Sequence, residues 1–116
     1  MLLTGAIAAM HLCILWLEMF AWTTQGPKIF RNFPAELFPA TKAMAANQGL
    51  YNGFLAAGLG WALLIADPAW QRYEAYFFLG CVAVAGLYGA ATSSRRILYV
   101  QTLPALVALV LWALVG

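Results

Sequence analysis

The sequence predicts an all-α integral membrane protein: an antiparallel four-helix bundle forming a single transmembrane domain, residues 1–116. Hydrophobic residues make up 65% of the chain and charged residues 9%, more apolar surface than a soluble domain of this size can bury. The apolar residues form four runs, each long enough to cross a hydrocarbon core about 30 Å thick. The net charge is only +2, with no basic stripe, so the bilayer and not nucleic acid is the expected partner.

The boundaries of the four spans follow from turn residues. Asp67-Pro68 ends the second span, and the turn is expected to continue to Tyr73. Pro104 is expected to kink the fourth span, because it removes the hydrogen-bond donor for the carbonyl of Val100. The first run has no preceding basic residues and is expected to be a retained helix. The predicted spans are residues 2–22, 43–66, 74–92 and 97–115.

The first connection, residues 23–42, alternates basic and aromatic residues and contains Pro27, Pro34 and Pro39. The prolines exclude one continuous helix, and the composition suits a segment in the lipid headgroup layer. The first and third connections hold all the lysines and arginines except Arg72. The positive-inside rule therefore places these two connections in the cytoplasm and both termini on the extracytoplasmic side.

Polar side chains in all four predicted spans lie at one depth, toward the cytoplasm. His11 and Glu18 are seven residues apart, so they share a helix face about 10 Å apart along the axis. Polar groups in a bundle turn away from lipid. We therefore expect a cytoplasm-facing polar pocket. Its candidate residues are His11, Glu18, Asn47, Gln48, Tyr51, Asn52, Tyr88, Thr92, Arg95 and Gln101.

A second interpretation is that these groups only hold the helices together. Interhelical polar contacts contribute about 0.6 kcal/mol each in membrane bundles, and Tyr88, Thr92 or Gln101 alone fits that role. A carboxyl is costly at membrane depth and is not needed for packing, so Glu18 favours a functional pocket. The competing arrangement has Glu18 reaching the interface to pair with a basic residue of the first connection.

Metal and cofactor chemistry is not expected. Cys13 and Cys81 lie in separate apolar runs without a CxxC pair, and His11 with Glu18 is an incomplete ligand set. No nucleophile with an obvious base is visible. The pair Gly49 and Gly53 permits close helix approach, either within the chain or in a homo-oligomer, and both alternatives are open.

The run NQGLYNGFLAAG, with LEMFAWTT at Leu17–Thr24, FLGCVAVAGLYGAAT at Phe78–Thr92 and ILYVQTLPA at Ile97–Ala105, resembles a known family. It is similar to the small bacterial and fungal membrane proteins called domain of unknown function 1304. The resemblance implies a four-helix integral membrane protein and no particular activity. We expect the protein to lie in the bacterial inner membrane. Small multidrug exporters also have four spans and a glutamate in the first, but the residues around Glu18 differ. Membrane-bound glutathione transferases match in span count and not in motifs.

Three functions follow as hypotheses. The first is binding or transport of a small polar or amphipathic molecule, with Glu18 as the proton or cation site and His11 as a relay. The second is an enzyme acting on a lipid-soluble substrate, with Glu18 or His11 as general acid or base and Arg95 holding an anion. The third is an accessory subunit in which the polar set only stabilises the bundle.

Overall fold

The computed structural model describes residues 2–115, and every regular element among them is helical. The α-helices are α1 (Leu2–Phe20), α2 (Gly26–Ile29), α3 (Leu37–Ala40), α4 (Lys42–Leu64), α5 (Pro68–Thr92) and α6 (Leu103–Val115). A π-helical segment, Leu98–Thr102, immediately precedes α6. The short helices α2 and α3 lie in the predicted headgroup connection, where the prolines exclude one continuous helix.

Within residues 2–115, three segments are long and apolar enough to cross a membrane: Leu2–Phe20, Pro68–Thr92 and Leu98–Val115. These segments agree with the predicted all-helical membrane protein. Helix α4 has 23 residues, which is about 34 Å at the α-helical rise of about 1.5 Å per residue. It is not among those three segments, and its first half carries Lys42 and the amides of Asn47, Gln48 and Asn52. The second span and the sidedness of the termini therefore stay predictions.

The predicted turn from Asp67 to Tyr73 is wrong in its extent, because α5 begins at Pro68. The carboxylate of Asp67 accepts a hydrogen bond from the backbone N–H of Trp70 at 3.2 Å. An aspartate N-cap followed by proline at the first helical position is a strong helix start. The residues read as a polar turn thus form the first turns of the helix.

The turn before Pro104 is π-helical. The backbone N–H of Leu103 donates to the carbonyl of Leu98, five residues earlier. A proline ring clashes with the carbonyl four residues before it, which here belongs to Val100. The wider turn accommodates that carbonyl, so the expected effect of Pro104 takes the form of an altered hydrogen-bonding pattern.

The chain divides into two compact units, and the first contains Met1–Ala8 and Leu55–Gly116. Inside it the indole N–H of Trp112 donates to the hydroxyl of Thr4 at 2.9 Å. Gly86 of α5 lies directly against Thr102. The small alanine side chains of this unit let the helices pack closely. The buried apolar core is formed by Ile7, Ala8, Leu59, Ala62, Ala75, Leu79, Val82, Ala83, Ala105, Ala108 and Trp112.

The second unit is Ala9–Phe54. It contains the end of α1, the two short helices and the start of α4. A cluster of aromatic rings around Trp22 organises the connection, and Phe38 is its buried member, 1% exposed. The two glycines Gly49 and Gly53 of α4 face side chains of α1. They therefore serve packing inside the chain, while homo-oligomerisation stays a prediction.

Candidate ligand-binding site

Glu18 is a buried carboxyl on a helix that is apolar enough to cross a membrane. It lies in the last turn of α1, with only 7% of its surface exposed. The alternative in which Glu18 reaches outward to a basic residue would leave the carboxyl exposed. In the structure the carboxylate instead points to α4, where Asn52 Nδ2 donates to Glu18 Oε1 at 2.7 Å.

The amide of Asn52 is fixed by a second contact. Its nitrogen also donates to the carbonyl of Gln48, one turn earlier in α4, at 3.2 Å. The two N–H groups of the amide are therefore directed at one carboxylate oxygen and one backbone carbonyl. Because an asparagine amide has two donors and one acceptor oxygen, Asn52 Oδ1 remains as the acceptor of this residue.

The two helices approach closely because α4 has glycine beside the site. A Cβ added to Gly49 would lie 3.0 Å from the Cβ of Glu18, 2.8 Å from Cγ of Met19 and 3.2 Å from the carbonyl oxygen of Leu15. Only a residue without a side chain fits this contact. The run Asn-Gln-Gly-Leu-Tyr-Asn-Gly therefore supplies both the approach, through Gly49, and the hydrogen bond, through Asn52.

The chemistry of this pair is that of an acceptor site. An ionised carboxylate has about four acceptor positions, and the contact with Asn52 occupies one. A charged group in an apolar surrounding is stable only when paired or neutralised. Hydrogen bonds to charged groups contribute about 1.5–3 kcal/mol, less than the several kcal/mol that burial of a carboxylate costs. The site therefore has the chemistry to take up a proton or a cationic donor.

His11 lies two turns before Glu18 on α1 and is fully buried. Like His11, Gln101 has an interaction partner, and its side chain is half-buried in the π-helical segment. Neither residue is a free polar group. Their participation in a pocket, with His11 as a relay, stays a prediction.

The other candidate residues lie on exposed helix surfaces or beyond helix ends. On α4, Asn47, Gln48 and Tyr51 are exposed. On α5, Tyr88 is 72% exposed, and the hydroxyl of Thr92 donates to the carbonyl of Tyr88 at 2.7 Å. This bond satisfies Thr92 within its own helix. Arg95 is exposed in the segment after α5. Their contribution to a pocket is not tested by these positions.

An open apolar groove runs along α5 and is lined by Tyr76, Phe77, Gly80, Cys81, Val84 and Ala85. The polar pocket expected from the sequence stays a prediction.

Among the described residues there is no group of three or more His, Cys, Asp or Glu side chains that could hold a metal ion.

One buried polar pair and one buried hydroxyl lie outside the candidate site residues predicted from the sequence. The hydrogen bond between Trp112 and Thr4 joins residues 108 positions apart, and no local pattern links them. The hydroxyl of Thr102 is buried without a hydrogen-bond partner in the part of the chain described. A polar residue within a strongly apolar run was the available signal for each, but it does not identify a partner.

Comparison with known proteins identifies relatives of the chain. A family model described as "Protein of unknown function (DUF1304)" matches residues 5–113. The chain is 28% identical over 111 residues to "Uncharacterized protein YpaA" of Lactococcus lactis subsp. lactis (strain IL1403), and the match covers 94% of this chain and 92% of the relative. No solved structure matches.

Proposed function

The chain belongs to the DUF1304 family. We propose that it binds a proton or a small cation, such as a protonated amine, at Glu18 and Asn52 and carries it through the membrane. The protein is a four-span bundle of the bacterial inner membrane with both termini outside, and its site opens toward the cytoplasm.

The observation that carries the proposal is the buried carboxyl of Glu18 with one amide donor at 2.7 Å. Packing alone does not require an acid here, because an amide could make the same interhelical hydrogen bond at lower desolvation cost. A carboxyl adds two properties that an amide lacks: it binds cations, and it exchanges a proton. Acids within membrane helices commonly mark ion or proton pathways.

The four-span topology is supported by the length of α4 and the distribution of charge. A helix of 23 residues is long enough for the hydrocarbon core. Five of the six basic residues fall in the first and third connections, which suits a cytoplasmic position for both. With this topology Glu18 and Asn52 belong to the cytoplasmic half of the membrane.

Labelling with a hydrophobic carbodiimide tests the proposal directly. The reagent takes the proton of a carboxylic acid and adds to its oxygen, so it marks acids that are protonated in apolar surroundings. The chain has only four acidic residues, so peptide mass mapping after labelling assigns the site. We expect Glu18 to be labelled, and ammonium or methylammonium in the buffer to slow the labelling.

Glu18→Gln should abolish the label. Glu74→Gln on α5, the matched control, also removes one carboxyl but should leave the labelling of Glu18 unchanged. An unlabelled Glu18, or labelling that no cation slows, would contradict a proton or cation site. Glu18 would then be a packing residue, as in the accessory-subunit hypothesis. Uptake of the protecting amine into liposomes that contain the protein, lost in Glu18→Gln, would separate transport from binding alone.

A further inference from the structure

A second surface lies in the connection between α1 and α4, residues 21–42, and its fold is held by Trp22. The indole N–H of Trp22 donates to the hydroxyl of Thr41 at 3.0 Å. That hydroxyl in turn donates to the carbonyl of Leu37 at 2.8 Å. The first contact joins the start of the segment to the residue before α4, and the second holds Thr41 against the preceding turn, so the segment is a closed loop.

Aromatic rings fill the inside of this loop. The ring of Trp22 lies 4.9 Å from Phe38 and 5.8 Å from Phe30, measured between centroids. Phe33 meets Phe38 edge-on at 5.0 Å. Gly26 is buried against Phe38, where an added Cβ would lie 2.7 Å from the ring. The loop thus has its own small core, which constrains the conformation of its backbone.

The outer surface combines basic and apolar side chains. Lys28, Arg31 and Lys42 are exposed, and with the single acid Glu36 they give the segment a net charge of +2. Arg31 is steadied by a hydrogen bond from its Nε to the carbonyl of Lys28 at 3.4 Å. The guanidinium keeps its remaining N–H groups for an oxygen-rich anion.

Apolar side chains stand beside these cations. Ile29, Phe30 and Leu37 are 45%, 42% and 40% exposed. The connection begins immediately after α1, a helix suited to cross a membrane, so this surface is at the height of the lipid headgroups. Apolar residues next to basic ones at that height match a lipid that has an anionic phosphate above an acyl chain.

We propose that the loop of residues 21–42, built on Trp22, is a binding site for anionic phospholipid, with Lys28, Arg31 and Lys42 contacting the phosphate. The site is distinct from Glu18 and does not depend on the function proposed for it. The proposal gives these cations a role beyond setting topology, because the loop that carries Lys28 and Arg31 has a core of its own. Each basic side chain near an anionic lipid surface strengthens binding by about fivefold.

Native mass spectrometry of the full chain in mild detergent tests this site. The protein is titrated with phosphatidylglycerol or with phosphatidylcholine of the same acyl chains, and bound lipids are counted. We expect preferential retention of phosphatidylglycerol. The pair Lys28→Gln and Arg31→Gln should weaken its binding by about tenfold or more, toward the level of phosphatidylcholine.

The matched control removes the same charge elsewhere. Arg72→Gln with Arg96→Gln, one residue in α5 and one in the segment after it, should leave the preference in place. Equal losses in both pairs would overturn the proposal in favour of general charge attraction, and so would a wild-type protein without lipid preference. Displacement of the lipid by millimolar inorganic phosphate would also overturn it, because the site would then bind free anions.

Two further variants separate charge from loop structure. Exchanging the cations, Lys28→Arg with Arg31→Lys, keeps the charge and should keep the lipid preference. Trp22→Phe keeps an aromatic ring but removes the N–H that reaches Thr41. It should reduce the preference although all cations remain. Full preference in Trp22→Phe would contradict a preorganised site.

Discussion

Replacing Asn52 with leucine tests the central contact of the proposed site. Leucine removes the amide that donates to Glu18 at 2.7 Å and approximately keeps the volume of the side chain. Asn47→Leu is the matched control, because it makes the same chemical change on the same helix at an exposed position. The difference between the two variants isolates the hydrogen bond to Glu18 from the general effect of removing an amide from α4.

The magnitude depends on whether Glu18 is neutral when Asn52 is lost. Interhelical hydrogen bonds in membrane proteins average about 0.6 kcal/mol and reach about 1.7 kcal/mol. Removing the partner of a buried charge costs about 3–5 kcal/mol. Because the proposed site holds a proton or a cation, we expect Asn52→Leu to lower the free energy of unfolding by about 1 kcal/mol. Asn47→Leu should change it by less than about 0.5 kcal/mol.

Reversible unfolding in mixed micelles measures these free energies, and Glu18→Leu, which removes the acceptor, completes a double-mutant cycle with Asn52→Leu. Equal effects of Asn52→Leu and Asn47→Leu, or strict additivity with Glu18→Leu, would refute the importance of the contact. A loss above about 3 kcal/mol for Asn52→Leu would show that Glu18 is charged and uncompensated, which contradicts a site that holds a proton or a cation.

Two other contacts give stability predictions measurable by the same unfolding assay. Gly86→Ala should cost about 1–3 kcal/mol, because the new Cβ would lie 2.9 Å from the backbone nitrogen and 3.1 Å from the Cβ of Thr102. Gly80→Ala on the same helix meets no atom within 4 Å and should be neutral or stabilising by up to about 1 kcal/mol; equal costs would contradict the argument. Trp112→Phe and Thr4→Val should show a coupling energy of about 0.6–1.7 kcal/mol, and additive effects would mean that their 2.9 Å hydrogen bond contributes nothing.

The all-helical membrane class was predictable because it depends on composition and run length, which need no knowledge of partners. The element boundaries were less predictable. The Asp67-Pro68 pair both ends a span and starts a helix. The predicted turn to Tyr73 follows from its first role only. The structure shows the second role, since Asp67 caps the helix that begins at Pro68. The same residues permit either interpretation until the backbone of the following turn is known.

Part of the site was predictable for a different reason. Glu18 and Asn52 were grouped because polar residues in separate spans share a membrane depth, and this grouping requires only rise per residue and topology. Which amide meets the carboxyl was not predictable, because Asn47, Gln48 and Asn52 lie within less than half of one helix circumference. The structure selects Asn52 and leaves Asn47 exposed. That choice depends on the rotation of α4 against α1, which sequence patterns do not fix.

The glycine beside Asn52 explains how so short a side chain reaches a carboxyl on another helix. An asparagine amide extends only two carbons from its backbone, so the helix axes must come close before Nδ2 can donate to Glu18. Gly49 permits this approach, since any Cβ there would press on the Cβ of Glu18 at 3.0 Å and on the backbone of Leu15 at 3.2 Å. Separating the helices to relieve that pressure would lengthen the 2.7 Å hydrogen bond while leaving both of its polar groups present. The strength of the site therefore depends on a residue that has no polar side chain, and the glycine and the amide of this run act together.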